Sequence, residues 1–271
     1  MIAPVVDATW LHANRDEVVV ADCRHYLDGR SAADAYAAGH IAGAVFVDLE
    51  RWLAAPASPT AGRHPLPAPE RFAEGMAQAG IADDATVVAY DDAGGVIAAR
   101  LVWMLRVTGH DAALLDGGLA AWDEPGSTTA PRIAAAAFTA APWPAERLAD
   151  ADDAGDRANV VIDARQAERF RGETEPVDPR AGHIPGARSL PVREHLDPTT
   201  ERLLPVDVLR ERFAAAGVRD GAAVVSYCGS GVTACHNLLV MEHAGLGPGR
   251  LYPGSWSQWS SDPERPVATG E

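Results

Sequence analysis

The sequence contains little cysteine, and the cysteines present form no disulfide or metal pattern. Among 271 residues there are three: Cys23, Cys228 and Cys235. An odd and sparse set argues against a disulfide framework. No Cys-x-x-Cys pair occurs, and the seven-residue spacing of Cys228 and Cys235 is a poor match to zinc ligands. We therefore expect neither a disulfide nor a bound metal.

Positive charge is also scarce. The sequence has 23 Lys and Arg residues against 38 Asp and Glu residues, which gives a net charge of −15 at pH 7. A surface of this sign repels phosphate backbones, so we expect no nucleic-acid partner. The same excess implies that an anionic substrate needs a local positive site.

Long apolar runs are missing as well. The stretch 221–241 carries no formal charge, but its Ser, Thr, His and Asn residues make it too polar to span a membrane. The first residues lack the basic segment and apolar core of a secretory signal. The hydrophobic content of 47% is typical of globular proteins. We therefore predict a cytoplasmic protein without a membrane segment.

The sequence does contain an internal repeat, in which four landmarks occur in the same order in each half. They are a β-branched run ending in Asp-x-Arg (18–24 and 160–165), a Gly-His-Ile turn (39–44 and 182–187), a second apolar run (86–91 and 223–228) and a glycine turn before tryptophan (115–122 and 252–259). The offset between the halves stays between 137 and 143 residues, as loop insertions would allow. Two copies of one domain are therefore predicted.

Each copy alternates short apolar runs with amphipathic helical stretches. This alternation predicts parallel βαβ units, and therefore an α/β fold in which a parallel sheet is flanked by helices. Pro, Ala and Thr accumulate between residues 124 and 146, as in a linker. We place the N-terminal domain at 1–125, the linker at 126–145 and the C-terminal domain at 146–271.

Cys228 follows an apolar run and begins the loop Cys-Gly-Ser-Gly-Val-Thr-Ala at residues 228–234. A strand–loop–helix unit places such a loop at the carboxyl end of the sheet, where α/β proteins bind ligands. Glycines let several backbone N–H groups face one point, and the helix N-terminus adds its positive end. Negative charge is stabilised there, which favours a reactive thiolate. The alternative, a buried structural thiol, is disfavoured by the Gly-x-Gly loop.

These residues resemble a known family. The segment 228–234 resembles the active-site loop of the tandem rhodanese superfamily, in the version typical of 3-mercaptopyruvate sulfurtransferases. Gly-His-Ile-Pro-Gly-Ala at 182–187 and Tyr-Pro-Gly-Ser-Trp at 252–256 resemble two general markers of that family. The resemblance covers essentially the whole chain. It implies two rhodanese-like domains, each a five-stranded parallel sheet flanked by helices, with catalysis by a Cys228 persulfide in the second.

The first copy departs from this pattern at the nucleophile. Asp91 occupies the position of Cys228, and a carboxylate cannot carry sulfane sulfur, so we expect this domain to be catalytically silent. Cys23 follows the first long apolar run and is expected to be a packed structural thiol. Cys235 is expected to be a buried helix residue, with a redox partnership to Cys228 as the alternative.

The neutral residues after the cysteine bear on the sulfur donor. Related loops that favour thiosulfate carry Cys-Arg-Lys-Gly, whereas Gly229 and Ser230 are uncharged here. This composition favours 3-mercaptopyruvate, whose carboxylate is remote from its thiol, with thiosulfate as the alternative donor. The resemblance implies that Arg169 and Arg180 grip that carboxylate, and arginine can bind it bidentately.

A proton must move when pyruvate leaves, and the resemblance implies a relay that carries it. Ser230 lies two residues after the nucleophile, and His64 and an acid complete a Ser–His–acid arrangement. The acid aligns with Glu50, and Asp48 is the rival for this role. His40 and His183, each in a Gly-His-Ile turn, are interpreted as structural histidines.

The predicted reaction has two halves. Cys228 takes sulfur from the donor and forms a persulfide, which the backbone N–H groups of Gly229, Gly231, Val232 and Thr233 cradle. A small thiol, a thioredoxin-like protein or cyanide then removes the sulfur. No cofactor is expected. A phosphatase is discounted because Ala234 stands where that class needs arginine, and a non-enzymatic persulfide carrier remains an alternative.

Overall fold

The computed structural model describes residues 1–134, 136–219 and 223–271, and these form two compact units. Unit 1 comprises Met1–Ala55, Pro67–Trp143 and Leu196–Leu203, whereas unit 2 comprises Pro56–Leu66, Pro144–His195 and Leu204–Glu271. Each unit therefore takes one short segment from the other half of the sequence. Residue 135 of the predicted linker and the first two residues of the uncharged stretch 221–241 lie outside the described residues.

Unit 1 is built on a five-stranded sheet with the strand order β1-β5-β4-β2-β3, in which every pairing is parallel. The strands are β1 (Val5–Val6), β2 (Val18–Asp22), β3 (Val45–Phe46), β4 (Thr86–Tyr90) and β5 (Ala112–Leu115). The helices of this unit are α1 (Ala8–Asn14), α2 (Ala32–Ala38), α3 (Pro69–Gln78) and α4 (Ala99–Val107). A π-helical turn spans Leu49–Leu53. Val88, Leu115 and Leu11 are buried in one core cluster beside the sheet, because helices cover a parallel sheet on both faces.

Unit 2 repeats this architecture with the strand order β7-β6-β8-β9, again parallel throughout. The strands are β6 (Val160–Asp163), β7 (Arg188–Ser189), β8 (Val224–Tyr227) and β9 (Arg250–Leu251). The helices are α5 (Ala151–Gly155), α6 (Ala167–Phe170), α7 (Val206–Ala215), α8 (Ala234–His243) and α9 (Ser255–Trp259). The predicted α/β fold with two parallel sheets flanked by helices is confirmed.

Among the described residues, the expectation of five strands holds for unit 1 but not for unit 2. A single parallel bridge between Leu148 and Leu251 stands where β1 stands in unit 1. A 3₁₀ turn at Ala145–Arg147 precedes Leu148, and Asp150 already caps α5. Two residues between these elements are too few to continue the strand, so the fifth strand is reduced to one bridge.

The repeated Asp-x-Arg motif has the same structural role in both units. Arg24 pairs with Asp22 at 2.6 Å and donates to the carbonyl of Gly39 at 2.7 Å. Arg165 pairs with Asp163 at 2.6 Å and donates to the carbonyl of Gly182 at 2.6 Å. Each buried arginine thus ties the end of a strand to the Gly-His-Ile turn. Within the described ranges no helix is long and apolar enough to cross a membrane.

Candidate active site

Cys228 lies at the carboxyl end of β8, on a tight loop that leads into α8. Its side chain is buried, and its sulfur accepts backbone N–H groups from Gly231 at 3.1 Å and Ser230 at 3.5 Å. Gly231 has φ +80°, and a Cβ there would lie 2.6 Å from the carbonyl oxygen of Pro253. Val232 and Thr233 then connect this turn to α8, which begins at Ala234. The sequence folds in this way because glycine permits the turn that aims the N–H groups at the sulfur.

The Tyr-Pro-Gly-Ser-Trp segment forms the scaffold behind the cysteine loop. The N–H of Cys228 donates to Ser255 Oγ at 3.1 Å, and the N–H of Trp256 donates to the Cys228 carbonyl at 2.9 Å. The N–H of Ser257 donates to the carbonyl of Gly229 at 2.9 Å. These bonds fix the backbone of the loop, so the cradle is preformed.

The segment 56–66 brings the predicted histidine to the loop within unit 2. His64 Nδ1 lies 2.8 Å from Ser230 Oγ, and both side chains are buried. The N–H of Arg63 donates to Ser257 Oγ at 3.0 Å, and a Cβ on Gly62 would lie 2.5 Å from the Gly254 carbonyl. This close backbone approach holds the segment against the scaffold, so the Ser230–His64 pair is positioned by packing.

Arg169, on α6, lies beside the cysteine loop. Its Nη2 contacts Glu175 at 2.6 Å and Asp178 at 3.1 Å. A Cβ placed on Gly229 would lie 3.6 Å from Arg169 Nη1, which puts the guanidinium group next to the residue that follows the nucleophile. The guanidinium group of Arg169 therefore lies beside the neutral loop, and its predicted role in binding an anionic donor stays a prediction.

The sequence reasoning missed Arg63, a second arginine at the same place. A Cβ placed on Gly229 would lie 2.9 Å from Arg63 Nη2, and Arg63 Nη1 is paired with Asp178. Asp178 therefore contacts both Arg63 and Arg169. The available signal was the position of Arg63 directly before His64, since neighbouring residues of one segment reach the same loop.

Arg180 has a different environment from the one predicted. Its Nε donates to the carbonyl of Ser260, and its Nη1 donates to that of Arg265, each at 2.8 Å. Its Nη2 donates to the carbonyls of Trp259 at 2.8 Å and Asp262. These acceptors lie at and after the C-terminus of α9, where the positive guanidinium group binds the backbone carbonyls at the end of the helix. The predicted substrate contact of Arg180 stays a prediction, and its observed bonds favour a structural role.

The two candidates for the relay acid lie in unit 1. Asp48 caps the π-helical turn Leu49–Leu53, where its Oδ1 accepts the N–H of Arg51 at 3.0 Å. The side chain of Glu50 is 62% exposed, and its carboxylate lies 3.9 Å from His25 Nε2. Of the two carboxylates, that of Asp48 is thus committed to a helix cap. The predicted role of Glu50 stays a prediction.

Two buried carboxylates surround the arginines of unit 2. Burial acts to raise the pKa of Glu175, but hydrogen bonds from Arg169 and from the N–H of Asp178 hold that pKa below its ordinary value. Burial raises the pKa of Asp178, with Arg63 acting in the opposite direction. Glu175 also pairs with Arg165 at 3.2 Å. Glu175 therefore remains charged at neutral pH and fixes the position of Arg169.

In the loop of unit 1 that is equivalent to residues 228–234, Asp91 stands in the position of Cys228. Asp91 is fully buried, and its Oδ1 accepts the N–H groups of Ala93 at 2.8 Å and Gly95 at 2.7 Å. Its Oδ2 accepts the N–H groups of Ile97 at 2.7 Å and Ala98 at 2.8 Å. Burial raises the pKa of Asp91, and these four bonds oppose that effect. The carboxylate thus occupies the anion cradle itself.

Asparagine at position 91 is expected to destabilise unit 1. Its amide nitrogen cannot accept hydrogen bonds, so two N–H donors, one buried and one partly buried, would lose this acceptor. We expect a loss of about 2–4 kcal/mol of unfolding free energy. Urea unfolding of Asp91→Asn measures it, with Asp92→Asn as the control, because Asp92 is exposed and accepts one bond from Tyr26. Equal unfolding midpoints for the two variants would contradict the account.

The remaining two cysteines are both buried. Cys23 is 1% exposed, and burial beside Asp22 and Asp91 raises its pKa well above the ordinary value. Cys235 lies in the first turn of α8, fully buried, and its thiol donates to the Gly231 carbonyl at 3.4 Å. The Cys23 thiol therefore stays protonated and is a poor nucleophile, whereas the Cys235 thiol is engaged by the Gly231 carbonyl. Both environments favour the structural interpretation.

The two units are copies of one α/β domain in tandem. In unit 2 the backbone N–H groups of the loop bind the Cys228 sulfur, whereas in unit 1 those of the equivalent loop bind the Asp91 carboxylate. The family model described as the rhodanese-like domain matches residues 7–125 and 144–262. The chain therefore belongs to the family of proteins with rhodanese-like domains.

Named relatives agree with this assignment. The chain is 44% identical to a probable 3-mercaptopyruvate sulfurtransferase of Pseudomonas aeruginosa, over 94% of this chain and 93% of that protein. It is 39% identical to a putative thiosulfate sulfurtransferase of Mycobacterium tuberculosis, over 94% of this chain and 92% of that protein. The crystal structure of SseA from Escherichia coli matches with a TM-score of 0.81 and 34% identity, covering 94% of this chain and 99% of that one. The prediction of a tandem rhodanese-like sulfurtransferase is confirmed at the level of the family.

Proposed function

We propose that this protein transfers sulfane sulfur from 3-mercaptopyruvate to a thiol or cyanide through a persulfide on Cys228. The observation that carries the proposal is the bonding of the Cys228 sulfur to the N–H groups of Ser230 and Gly231. These donors stabilise the thiolate before the reaction and the terminal sulfur of the persulfide after it. A buried sulfur in a preformed anion cradle suits sulfur transfer and needs no other nucleophile.

The first half-reaction balances without an added oxidant. The Cys228 thiolate attacks the donor sulfur, a new S–S bond forms, and the C–S bond breaks with its electron pair passing to carbon. The resulting enolate takes up the proton that the donor thiol loses, which gives pyruvate and the persulfide anion. Ser230 and His64, 2.8 Å apart, are suited to move that proton between sulfur and carbon.

Alanine at position 230 is expected to slow this half-reaction. The Ser230→Ala variant removes the hydroxyl that contacts His64 but keeps the backbone N–H of the cradle. We expect kcat with 3-mercaptopyruvate to fall by about 10²–10⁴, the usual contribution of a positioned proton donor. Donation by thiosulfate needs no proton at carbon, so its rate should fall far less. Steady-state rates with both donors make the comparison, and equal losses would contradict a proton-transfer role.

For the sulfur donor, thiosulfate is the alternative to 3-mercaptopyruvate. The neutral Gly229 and the nearby Arg169 support a donor with a remote carboxylate. Thiosulfate is favoured instead by the name of the relative from M. tuberculosis. Comparison of kcat/KM for the two donors decides between them. We expect 3-mercaptopyruvate to be preferred, and a clear preference for thiosulfate would overturn the assignment.

The proposal also includes a thiol or cyanide as the sulfur acceptor and the cytoplasm as the compartment. A persulfide in a buried cradle must be reached by a small thiol, cyanide or the exposed cysteine of a thioredoxin-like protein. Three free cysteines suit a reducing cytoplasm, where a thiol nucleophile stays active. Rapid turnover with a small thiol would support an enzyme, whereas persulfide that forms but turns over slowly with every small acceptor would indicate a carrier.

A further inference from the structure

We propose that Asn237 is a positioning residue for the sulfur-transfer reaction, because its side chain fixes the first turn of α8 and thereby the backbone N–H groups that bind the Cys228 sulfur. This inference rests on the proposed function only in taking Cys228 as the sulfur carrier. Asn237 lies outside the loop 228–234, and the residues that it contacts belong with it to unit 2.

Asn237 lies in the first turn of a helix that is buried on all sides. Residues 234–241 of α8 are all buried, and Asn237 has no exposed surface. Asparagine is a weak helix former, and an amide group is unfavourable in a protein interior unless its hydrogen bonds are made. Neither property stabilises α8 itself. The bonds of the amide to residues outside the helix therefore explain its presence.

The amide of Asn237 links α8 to the chain that follows the edge strand β7. Its Nδ2 donates to the carbonyl of Leu190 at 3.1 Å, and its Oδ1 lies 3.0 Å from Nε2 of the fully buried His195. Burial lowers the pKa of His195 to about 4, so its ring is neutral at pH 7 and carries one N–H group, which donates to Asn237 Oδ1. Both polar ends of the amide are thus bonded, and its orientation is fixed.

Leu190 is itself fixed to the end of the strand that pairs with β8. Its N–H donates at 2.9 Å to the carbonyl of Asp163, the last residue of β6. In the parallel pairing of β6 with β8, Asp163 stands opposite Tyr227, the residue before Cys228. The hydrogen bond from Asn237 therefore fastens the start of α8 to the same edge of the sheet from which the cysteine loop leaves.

The cysteine loop is held between these two fixed points. The sulfur of Cys228 accepts the N–H groups of Gly231 at 3.1 Å and Ser230 at 3.5 Å. The thiol of Cys235, two residues before Asn237, donates to the Gly231 carbonyl at 3.4 Å, so the first turn of α8 contacts the loop directly. A displacement of this turn by about 1 Å would move the N–H groups away from the sulfur, and errors of that size cost about 10²-fold in rate.

The same position makes a similar contact in unit 1. Arg100 lies nine residues after Asp91, as Asn237 lies nine residues after Cys228. Arg100 is fully buried, and its Nε and Nη2 donate to the carbonyl of Leu53 at 3.3 Å and 3.2 Å. This acceptor also lies in the segment that follows an edge strand, here β3. Both units thus link the helix after the loop to that segment, but the loop of unit 2 holds a nucleophile and that of unit 1 a carboxylate.

The test compares the two links in variants of the full chain. Asn237→Leu keeps the approximate size of the side chain and removes both hydrogen bonds. We expect kcat to fall about 10- to 100-fold with KM within about threefold of wild type, because the sulfur cradle is disturbed and the substrate contacts are not. The loss should be equal with 3-mercaptopyruvate and thiosulfate, since both donors use the same cradle. Arg100→Leu is the matched control, and it should lower the thermal midpoint with kcat unchanged.

Amide hydrogen exchange provides a readout that does not depend on a donor. In Asn237→Leu, we expect exchange of the N–H groups of Ser230 and Gly231 to become about tenfold faster or more, while exchange in β6 changes less. In Arg100→Leu, exchange at both places should stay at the wild-type rate. A loss of stability spread over unit 2 would instead accelerate exchange in the loop and in β6 alike.

A second variant tests the contact if Asn237→Leu does not fold. His195→Phe keeps a ring that can pack on Phe213, whose ring centroid lies 5.1 Å from that of His195, and it removes the bond to Asn237. The bond from Asn237 to the Leu190 carbonyl remains in this variant. We therefore expect kcat to fall about 3- to 10-fold, again equally with both donors.

The outcomes separate this inference from the proposed function. If the wild-type protein forms no persulfide with either donor, the proposed function fails, and the exchange rates still test how the loop is held. If Asn237→Leu loses thermal stability but keeps the wild-type kcat, Asn237 has only a structural role and the inference is wrong. An equal loss of kcat in Arg100→Leu would overturn it as well. So would a loss confined to 3-mercaptopyruvate, because that pattern belongs to proton transfer by Ser230.

Discussion

Replacement of Cys228 by serine is expected to abolish sulfur transfer from every donor. Serine preserves the size of the side chain and the N–H bonds of the loop, but its hydroxyl cannot carry sulfane sulfur. Both half-reactions pass through the persulfide, so no partial route remains. We expect kcat to fall by about 10⁴ or more, to the uncatalysed background. Steady-state assays with 3-mercaptopyruvate and with thiosulfate measure this loss.

The other two cysteines provide the controls for that experiment. Cys235→Ser keeps a donor for the Gly231 carbonyl, and Cys23→Ala removes a thiol whose raised pKa keeps it protonated. Both variants should retain activity within a few-fold of wild type. Loss of activity in Cys235→Ser as complete as in Cys228→Ser would point to a redox pair, and residual activity in Cys228→Ser would contradict the persulfide mechanism.

Replacement of Gly231 by alanine is expected to cause the second largest loss of kcat. Gly231 has φ +80°, and its added Cβ would lie 2.6 Å from the Pro253 carbonyl, so the turn must open. Opening moves the N–H groups of Ser230 and Gly231 away from the sulfur. Loss of an oxyanion-type donor costs about 10²–10³ in kcat, and the clash adds about 1–3 kcal/mol of destabilisation.

Gly217 offers a matched control for this substitution. It has φ +84°, yet a Cβ there would meet no atom within 4 Å. Gly217→Ala therefore carries a similar backbone strain without the clash, and it lies after α7, away from the cysteine loop. We expect lower stability with unchanged kcat. Equal activities of the two variants would show that the geometry of the Gly231 turn does not control the reaction.

The sequence predicts the fold well because the landmarks of the internal repeat are the apolar runs that form the strands and the turns that follow them. The Asp-x-Arg motif joins β2 and β6 to the Gly-His-Ile turns of their units through Arg24 and Arg165. The β-branched runs are buried in parallel sheets, as their continuous apolar character indicates. In the described part of unit 2, the reduction of the fifth strand to one bridge is less predictable, because it depends on how closely a 3₁₀ turn approaches the cap of α5.

The site is predictable where the chemistry is local and not where it depends on tertiary contacts. Cys228, Ser230 and Gly231 lie in one short loop whose residue types already specify an anion cradle. Arg63 lies in a segment without periodicity, and its place is fixed by the fit of Gly62 against a distant backbone carbonyl. The residue type of Arg180 indicates a cation, but only the fold reveals the four carbonyls that it binds.

The central claim, a persulfide on Cys228, is tested most directly by mass spectrometry after brief exposure to 3-mercaptopyruvate. The account predicts that the intact protein gains the mass of one sulfur atom, that peptide mapping places it on Cys228, and that an acceptor thiol removes it. The Cys228→Ser variant should gain nothing. Sulfur found on Cys23 or Cys235, or gained equally by the Cys228→Ser variant, would contradict the account.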